Sequence, residues 1–151
     1  MIYRVCLPGR EALTNEGARV DIRIAASCFE RPLSGLYIEE TATIDTGALP
    51  TVVPDELVQQ LKLTSIGSTT LRTASQRGII APVYLVSLQI NGQMVSSAHP
   101  VVSLPVGTIL LGRWFLRTGA IGYSGHKGRF VLRMYPEEQY EEPLAYPDWM
   151  R

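Results

Sequence analysis

Hydrophobic and polar residues alternate along most of the chain in short runs separated by turn residues, a pattern typical of β-strands. We predict strands over residues 2–7, 18–24, 36–44, 51–53, 84–90, 93–102, 108–111 and 130–135. Pro8-Gly9 and Asn15-Glu16-Gly17 provide breaks between the first two runs. The sequence therefore predicts a mostly β protein.

Two turns predict β-hairpins. Asn91-Gly92 lies between two apolar runs, and this dipeptide favours a tight hairpin because both turn positions need a positive φ. A second hairpin is predicted around residues 75–78, between the runs 69–71 and 79–80.

Two short helices are also predicted. Residues 54–61 begin with Pro54 at the first helical position, continue with two acids and place apolar side chains on one face. Residues 112–118 form the second, with Gly119 as its stop.

The composition fits one globular domain and suggests no charged partner. The 151 residues are 46% hydrophobic and 19% charged, with 14 basic and 14 acidic side chains, so neither nucleic acid nor a membrane is an expected partner. The first residues lack a signal-peptide pattern and no run is long enough to span a membrane, so we expect a cytoplasmic protein. Residues 136–151 are rich in acids, prolines and aromatics and are expected to form a flexible tail.

Cysteine and histidine residues indicate no cofactor. Cys6 and Cys28 are too few for a disulfide framework, and no Cys/His spacing matches a metal site. His99 precedes a proline and His126 lies in a predicted turn. No Ser or Cys nucleophile motif accompanies either histidine, so neither is expected to be catalytic and no metal or other cofactor is expected.

The chemistry that the sequence suggests centres on one of four aspartates. Asp21 is expected on the exposed face of a strand, Asp55 in the first turn of a helix and Asp148 in the tail. Only Asp45 follows an apolar strand and precedes Thr46-Gly47-Ala48. Glycine lets backbone N–H groups approach a carboxylate closely, the threonine hydroxyl can lock the loop, and alanine leaves room for a substrate. Taken alone, the same residues are also an ordinary turn after a strand.

Three segments together resemble retropepsin-like aspartic proteases. Residues 42–61 resemble the active-site strand, loop and helix of that family, and residues 108–116 are similar to its second signature, an apolar pair plus glycine followed by a helix. Residues 73–78 resemble the flap, the hairpin that closes over the substrate. The resemblance covers about residues 36–135. It implies a single-lobed, closed, mostly β fold with a flap hairpin and one or two short helices, acting as a homodimer.

The resemblance also assigns roles to residues. It implies that Asp45 is the catalytic acid and base, that Thr46 locks the loop between subunits and that Gly47 and Ala48 line the cleft floor. The supporting strand behind the loop would consist of Leu110, Leu111 and Gly112. The substrate-binding flap would consist of Thr73, Ala74, Ser75, Gln76, Arg77 and Gly78.

One catalytic aspartate is half of what an aspartic protease needs. Two carboxylates must face each other, one ionised to accept a proton from water and one protonated to polarise the carbonyl group. The chain contains no second Asp-Thr-Gly or Asp-Ser-Gly, so the active form is expected to be a homodimer that cleaves a peptide or protein. We expect Asp45-Thr46-Gly47 at the centre of the interface, together with strands from the chain ends, for which Phe130–Met134 is the best candidate.

Some features depart from the family pattern. Retroviral members carry an acid that pairs with the arginine of the second signature, whereas this chain has Leu49 there and leaves the partner of Arg113 open. The expected flap has one glycine rather than several. We divide the chain into an extension that adds strands to the core (1–35), the protease-like domain (36–135) and the acidic tail (136–151).

Two other functions remain open at this point. The first is a retropepsin-fold dimer that serves as a binding or regulatory module with little or no proteolysis, because a fold does not by itself fix a function. The second is a purely structural β-domain, which would make the three family-like segments a coincidence.

Overall fold

A computed structural model describes residues 2–6, 10–27, 35–73, 75, 77–125 and 128–134. Ten strands and three short helices are found in these ranges. In chain order they are β1 (Ile2–Cys6), α1 (Arg10–Glu16), β2 (Arg19–Ala26), β3 (Tyr37–Ile44), β4 (Thr51–Pro54), α2 (Asp55–Gln60), β5 (Gly67–Arg72), β6 (Arg77–Ile90), β7 (Gln93–Leu104), β8 (Ile109–Leu111), α3 (Arg113–Leu116), β9 (Gly119–Ser124) and β10 (Arg129–Met134). This confirms the mostly β fold class. Cys28, His126 and the acidic tail lie outside the described residues.

Six of the strands close into a barrel. One sheet has the strand order β2-β3-β8-β4-β7-β6-β5, and β2 pairs in addition with β6. This extra pairing runs from Arg23↔Gln89 to Ala26↔Val86 and joins the two sides of the sheet. β5 pairs with β6 alone and extends outside the closed ring. The expected closed β fold is therefore confirmed.

The barrel strands have one apolar face inside and, over part of the ring, a second one outside. Val53, Val101 and Leu111 belong to the main core. Because successive strand residues point to opposite faces, their neighbours on β4, β7 and β8 point outward. These neighbours form part of an outer cluster, whose members are Val52, Ala81 and Val102 with Leu71, Val83, Leu104, Val106, Leu110 and Trp114 packed against them.

A second, three-stranded sheet has the order β1-β10-β9. Phe130, Leu132 and Met134 of β10 are buried in the main core, so this sheet packs against the barrel. Both edges of β10 are occupied, by β1 and by β9. Residues 130–134, the best candidate for a strand at a dimer interface, therefore have no free edge on which a partner strand could pair, and their place in such an interface stays a prediction. The outer edges of this sheet belong to β1 and β9.

Both predicted hairpins are confirmed. Asn91 and Gly92 have φ values of 51° and 73° and join β6 to β7, as the turn requires. β5 and β6 pair antiparallel from Gly67↔Val83 to Arg72↔Arg77, so the segment between them forms the second hairpin. We call residues 73–78 the hairpin tip.

Some elements differ from the prediction. Helix α1 is not among the predicted elements and extends into the predicted break at Asn15-Glu16-Gly17, and strand β9 is not among them either. Gly17 marks the end of α1 with a φ of +76°, and its N–H donates to the Leu13 carbonyl at 3.1 Å. The glycine-rich β9 has weak strand propensity of its own, and its pairing with β10 along six residues defines it.

The two predicted helices are present but shorter. Helix α2 begins at Asp55, and Pro54 is its extended N-cap residue rather than its first helical residue. Helix α3 spans four residues, and Gly119 begins β9 rather than stopping the helix. Among the described residues, no helix is long and apolar enough to span a membrane.

Candidate active site

Asp45 lies directly after β3, at the start of a loop (residues 45–50, the Asp45 loop) that leads to β4. Strands β3 and β4 are not neighbours but lie on either side of β8. β3 runs parallel to β8, with Ile44 opposite Leu111, and β4 pairs with β8 through Val52 and Leu110. The loop must therefore pass over the end of β8. The backbone N–H of Asp45 donates to the Leu111 carbonyl at 3.0 Å, which ties the loop to that strand.

Two backbone N–H groups orient the Asp45 carboxylate. Gly47 and Ala48 donate to its Oδ1 at 2.9 and 3.2 Å. The side chain is half-buried, so it is both held in place and accessible. Within the described part of the chain, no basic side chain forms an ion pair with Asp45. A carboxylate that is fixed by amides and still reachable by solvent can accept a proton from water.

Two glycines make this loop geometrically possible. A Cβ at Gly47 would lie 3.2 Å from Asp45 Oδ1 and would crowd the carboxylate. A Cβ at Gly112 would lie 2.0 Å from the Pro50 carbonyl oxygen and 2.9 Å from that of Ala48. Such distances are far below van der Waals contact, so the backbone approaches this closely only because position 112 has no side chain.

Helix α3 holds the other half of the loop. The Arg113 N–H donates to the Ala48 carbonyl and the Trp114 N–H to the Leu49 carbonyl, both at 2.9 Å. These two amides at the start of the helix have no intrahelical partners, and the loop carbonyls satisfy them. The side chains of Arg113 and Leu49 are exposed, and no ion pair of Arg113 is found among the described residues. The backbone thus connects the two segments that a salt bridge connects in retroviral members.

Thr46 is exposed, and its hydroxyl forms no hydrogen bond with the part of the chain that the structure describes. The structure therefore brings Asp45, Thr46, Gly47 and Ala48 together with Leu110, Leu111 and Gly112, in the arrangement that the sequence suggested. The function of these residues stays a prediction.

The hairpin tip is built differently. Thr73, Ser75, Arg77 and Gly78 are exposed, while Ala74 and Gln76 lie outside the described residues. The hydroxyls of Thr73 and Ser75 are 3.5 Å apart, and Gly78 has a φ of +78°.

Below the tip, Leu71 and Ala81 pack in the outer cluster with Leu110 and Trp114. The base of the hairpin thus lies against the strand and helix that support the Asp45 loop. That the tip acts as a flap remains a prediction.

The other described aspartates lie in different surroundings. Asp21 is exposed on β2 and accepts a hydrogen bond from the Thr41 hydroxyl at 2.7 Å. Asp55 begins α2 and accepts one from the hydroxyl of the buried Ser103. Neither carboxylate lies in the Asp45 loop. No group of three His, Cys, Asp or Glu residues in the described ranges is placed to hold a metal ion.

A cavity of about 430 Å³ lies elsewhere, along β2 and β3 and beside the Asn91-Gly92 turn. Two of its charged groups are paired with each other, since Arg23 forms an ion pair with Glu39 at 2.6 Å and also lies over the Tyr37 ring. None of its lining residues belongs to the Asp45 loop. The hydrogen bonds of the Asp45 loop therefore define the candidate site better than cavity size does.

His99 is a second titratable group beside the loop, and sequence reasoning attached no role to it. It is buried on β7, and its Nε2 lies 2.8 Å from the hydroxyl of Thr51, the residue that follows the loop. Burial and, to a lesser extent, the positive charge of Arg117 together lower the pKa of His99 to about 4. No local pattern in the sequence indicates this contact, because the two residues are 48 positions apart.

The barrel, the loop over β8 and the hairpin beside it define the retropepsin-like class of aspartic protease folds. The sequence model of the family described as "gag-polyprotein putative aspartyl protease" matches residues 39–118, just over half of the chain. The chain belongs to this family. Among curated proteins, none matches the sequence.

Solved structures support the fold. A retropepsin-like aspartic protease from Rickettsia conorii is similar with a TM-score of 0.53 and 15% identity, over 89% of this chain and 93% of that one. The EIAV protease in complex with the inhibitor HBY-793 is similar with a TM-score of 0.51 and 15% identity, over 66% of this chain and 85% of the other. Identities this low show a common fold and leave the activity to be argued from the site.

Proposed function

We propose that this protein is an aspartic endopeptidase that hydrolyses peptide bonds with a water molecule activated by two Asp45 carboxylates, one from each subunit of a homodimer. The observation that supports it best is the Asp45 carboxylate itself, which is accessible and held by the amides of Gly47 and Ala48. Membership of an aspartyl protease family agrees with this chemistry.

The mechanism requires a second carboxylate, and no other aspartate of the described ranges lies in the Asp45 loop. Asp21 and Asp55 are on other elements and bound to hydroxyl groups. In a two-fold dimer, a second Asp45 would face the first and the pair would share one proton. The ionised carboxylate then takes a proton from water while the protonated one donates to the peptide carbonyl oxygen. We expect activity to be highest on the acid side of neutrality, where the pair retains that proton.

The exposed surface around the loop is compatible with such a dimer. Thr46 presents a hydroxyl to solvent next to Asp45, where it could hydrogen-bond to the partner's loop. β10 is internal, so an added strand would use the outer edge of β1 or β9. Substrate would bind between the Asp45 loop and the hairpin tip, with apolar side chains against the outer cluster beside Leu110 and Trp114.

The experiment that tests this proposal is incubation with a mixed peptide library. Asp45→Asn keeps the shape and removes the ionisable group, so we expect cleavage to fall by at least about 1,000-fold with an unchanged fold. Asp55→Asn is the matched control and should leave cleavage nearly unchanged. Cleavage at the wild-type rate by Asp45→Asn would disprove the assignment.

Assembly provides an independent test. Specific activity should fall as the protein is diluted through its dimer dissociation constant, since only dimers contain a complete site. Excess Asp45→Asn added to wild type should lower activity further by forming mixed dimers. Sedimentation over the same dilution series checks the assembly state, and a monomer that cleaves peptides would contradict the two-carboxylate mechanism.

A dimeric binding or regulatory module is the second candidate. Two observations favour it, namely the single glycine of the hairpin tip and the exposed Leu49 in the place of the family's acid. If both wild type and Asp45→Asn bind peptides without cleaving them, this second function is the better one.

A further inference from the structure

His99 contacts both structures that hold the Asp45 loop in place. On one side, its Nε2 lies 2.8 Å from the hydroxyl of Thr51, which is fully buried and is the first residue of β4 after the loop. On the other side, its ring meets the ring of Phe115 edge to face, with centroids 5.9 Å apart. Phe115 belongs to α3, whose first two amides hold the carbonyls of Ala48 and Leu49.

The hydrogen bond between His99 and Thr51 joins two buried side chains. Thr51 needs a partner for its buried hydroxyl, and a buried hydroxyl without one costs free energy. The ladder between β4 and β7 sets the spacing of those two strands, and the hydrogen bond and ring contact of His99 connect α3 to them. A shift of His99 moves the end of the loop and the helix that binds its middle.

We propose that His99, in its neutral form, is a positioning residue for the Asp45 carboxylate, acting through Thr51 on the end of the Asp45 loop and through Phe115 on its middle. The catalytic consequence rests on the proposed peptidase function, whereas the coupling between His99 and the loop does not.

The surroundings of His99 make this positioning sensitive to pH. Arg117 is the charged group that faces it, and both line a small cavity whose other walls come from β7, α3, the segment after α3 and β10. Apart from Arg117, the other side chains that line this cavity do not titrate; they are Val95, Ser96, Trp114, Phe115, Thr118 and Met134. From β4 and β6 it meets Thr51 and its register partner Val86.

Protonation would place a second positive charge beside Arg117 in a site with little access to water. Both burial and Arg117 lower the pKa of His99, to about 4. As the pH falls through that value, the imidazolium forms against the repulsion of Arg117, which favours a ring position with more water or further from Arg117. Either change loosens the contacts with Thr51 and Phe115, and the Asp45 loop loses its support.

Nuclear magnetic resonance can test the coupling without any assay of activity. The amide signals of Gly47 and Ala48 are followed against pH in wild type, His99→Gln and Arg117→Gln, together with the His99 ring signal. In wild type we expect the amides to show one step that follows the His99 ring, besides the response of Asp45 itself. His99→Gln should lack that step. Arg117→Gln should move this step to higher pH, because a positive charge that repels the imidazolium is removed.

Amide titrations of Gly47 and Ala48 that are identical in wild type and His99→Gln would overturn the proposal. So would an Arg117→Gln variant in which the His99 ring titrates at higher pH while both amides keep their wild-type curves. Arg117 is exposed, so its substitution is not expected to affect folding.

Peptide cleavage adds a second, separate readout. His99→Phe keeps a ring against Phe115 but removes the partner of Thr51, and we expect kcat to fall on the order of tenfold with KM nearly unchanged, since small displacements of catalytic groups are costly. His99→Gln restores a hydrogen-bonding group and should recover most of kcat and extend activity to lower pH. If His99→Phe fails to fold, the comparison of His99→Gln with Arg117→Gln decides.

The two readouts separate the two hypotheses. A chain that cleaves no peptide but shows the coupled amide step supports the positioning role and contradicts the proposed peptidase function. A chain that cleaves peptides with the same kcat in wild type and His99→Phe, and with the same acid limit in wild type and His99→Gln, contradicts the positioning role alone.

Discussion

The Asp45 loop and the hairpin tip are both connections between strands, but different numbers of elements hold them. The loop is bound by β8 through Asp45, by α3 through two carbonyls and by its own amides through the carboxylate. The tip continues a two-stranded arm in which β5 and the first residues of β6 pair with each other. Substitutions in the loop should therefore disturb several elements at once, whereas those in the tip should stay local.

The largest expected effect comes from Gly112→Ala. The added Cβ would lie 2.0 Å from the Pro50 oxygen, so the loop backbone must move away from β8. We expect a loss of about 4 kcal/mol or more in the free energy of unfolding, measured by urea denaturation. Gly107→Ala is the matched control, because nothing lies within 4 Å of its added Cβ. Equal stability of the two variants would show that the loop adapts more easily than its contacts suggest.

Acid pH should lower the free energy of unfolding through His99, which lies beside the Asp45 loop and not beside the hairpin tip. His99 has a folded pKa of about 4, below its ordinary value of 6.5, so the unfolded chain binds more protons between these values. The stability that neutral His99 supports is complete above pH 6.5 and is lost as the pH falls through 4. The shift corresponds to roughly 3 kcal/mol. The free energy of unfolding should fall between pH 7 and pH 4 in both wild type and His99→Gln. The fall should be smaller in His99→Gln by roughly 3 kcal/mol, because that variant lacks the imidazole. An equal fall in the two proteins would refute the prediction.

Gly47→Ala should affect activity more than stability. Its Cβ would meet Asp45 Oδ1 at 3.2 Å, and a small displacement of the carboxylate can relieve the contact. If the protein is the proposed peptidase, kcat should fall by about 100-fold, the order of loss that misplacing a catalytic group brings. The urea midpoint should stay close to that of wild type. An unchanged kcat would mean that the carboxylate is held less tightly than its two amide bonds indicate.

The smallest effect is expected at the tip, for Gly78→Ala. The added Cβ has open space around it, and the cost arises from the positive φ of +78° alone. That cost is about 1 kcal/mol for a residue with a Cβ. Urea denaturation should show a loss of this size, and peptide KM should change more than kcat. A loss as large as that of Gly112→Ala would mean that the tip is as tightly packed as the loop.

The sequence allowed the Asp45 loop to be predicted well, because its determinants are local. Asp45-Thr46-Gly47-Ala48 and the later Leu110-Leu111-Gly112 carry a recognisable pattern, and Asn91-Gly92 specifies its own turn through two positive φ values. The expected division at residues 35 and 135, the roles of the site residues and a cytoplasmic location all stay predictions.

Long-range pairing could not be predicted in the same way. The closure of the barrel depends on β2 meeting β6, which is more than 60 positions later in the example Arg23↔Gln89. Strand β9 has weak propensity of its own and forms because β10 pairs with it, which also makes β10 internal. The contact of His99 with Thr51 likewise exists only in the folded barrel. In each case, a tertiary partner decides what the local sequence leaves open.

The arm formed by β5 and β6 has a consequence for how proteins of this fold can vary in length. Residues 77–82 of β6 pair with β5 alone, and the pairing of β6 with β7 begins at Val83↔Val102. Pairing within the barrel therefore constrains the length of β6 from Val83 onward, whereas it does not constrain the number of residues in the arm. Successive side chains of a strand point to opposite faces. Lengthening both strands of the arm by two residues therefore preserves which side chains point toward the Asp45 loop, whereas lengthening both by one residue turns those side chains to the other face. Natural or engineered changes in arm length should accordingly be tolerated in steps of two.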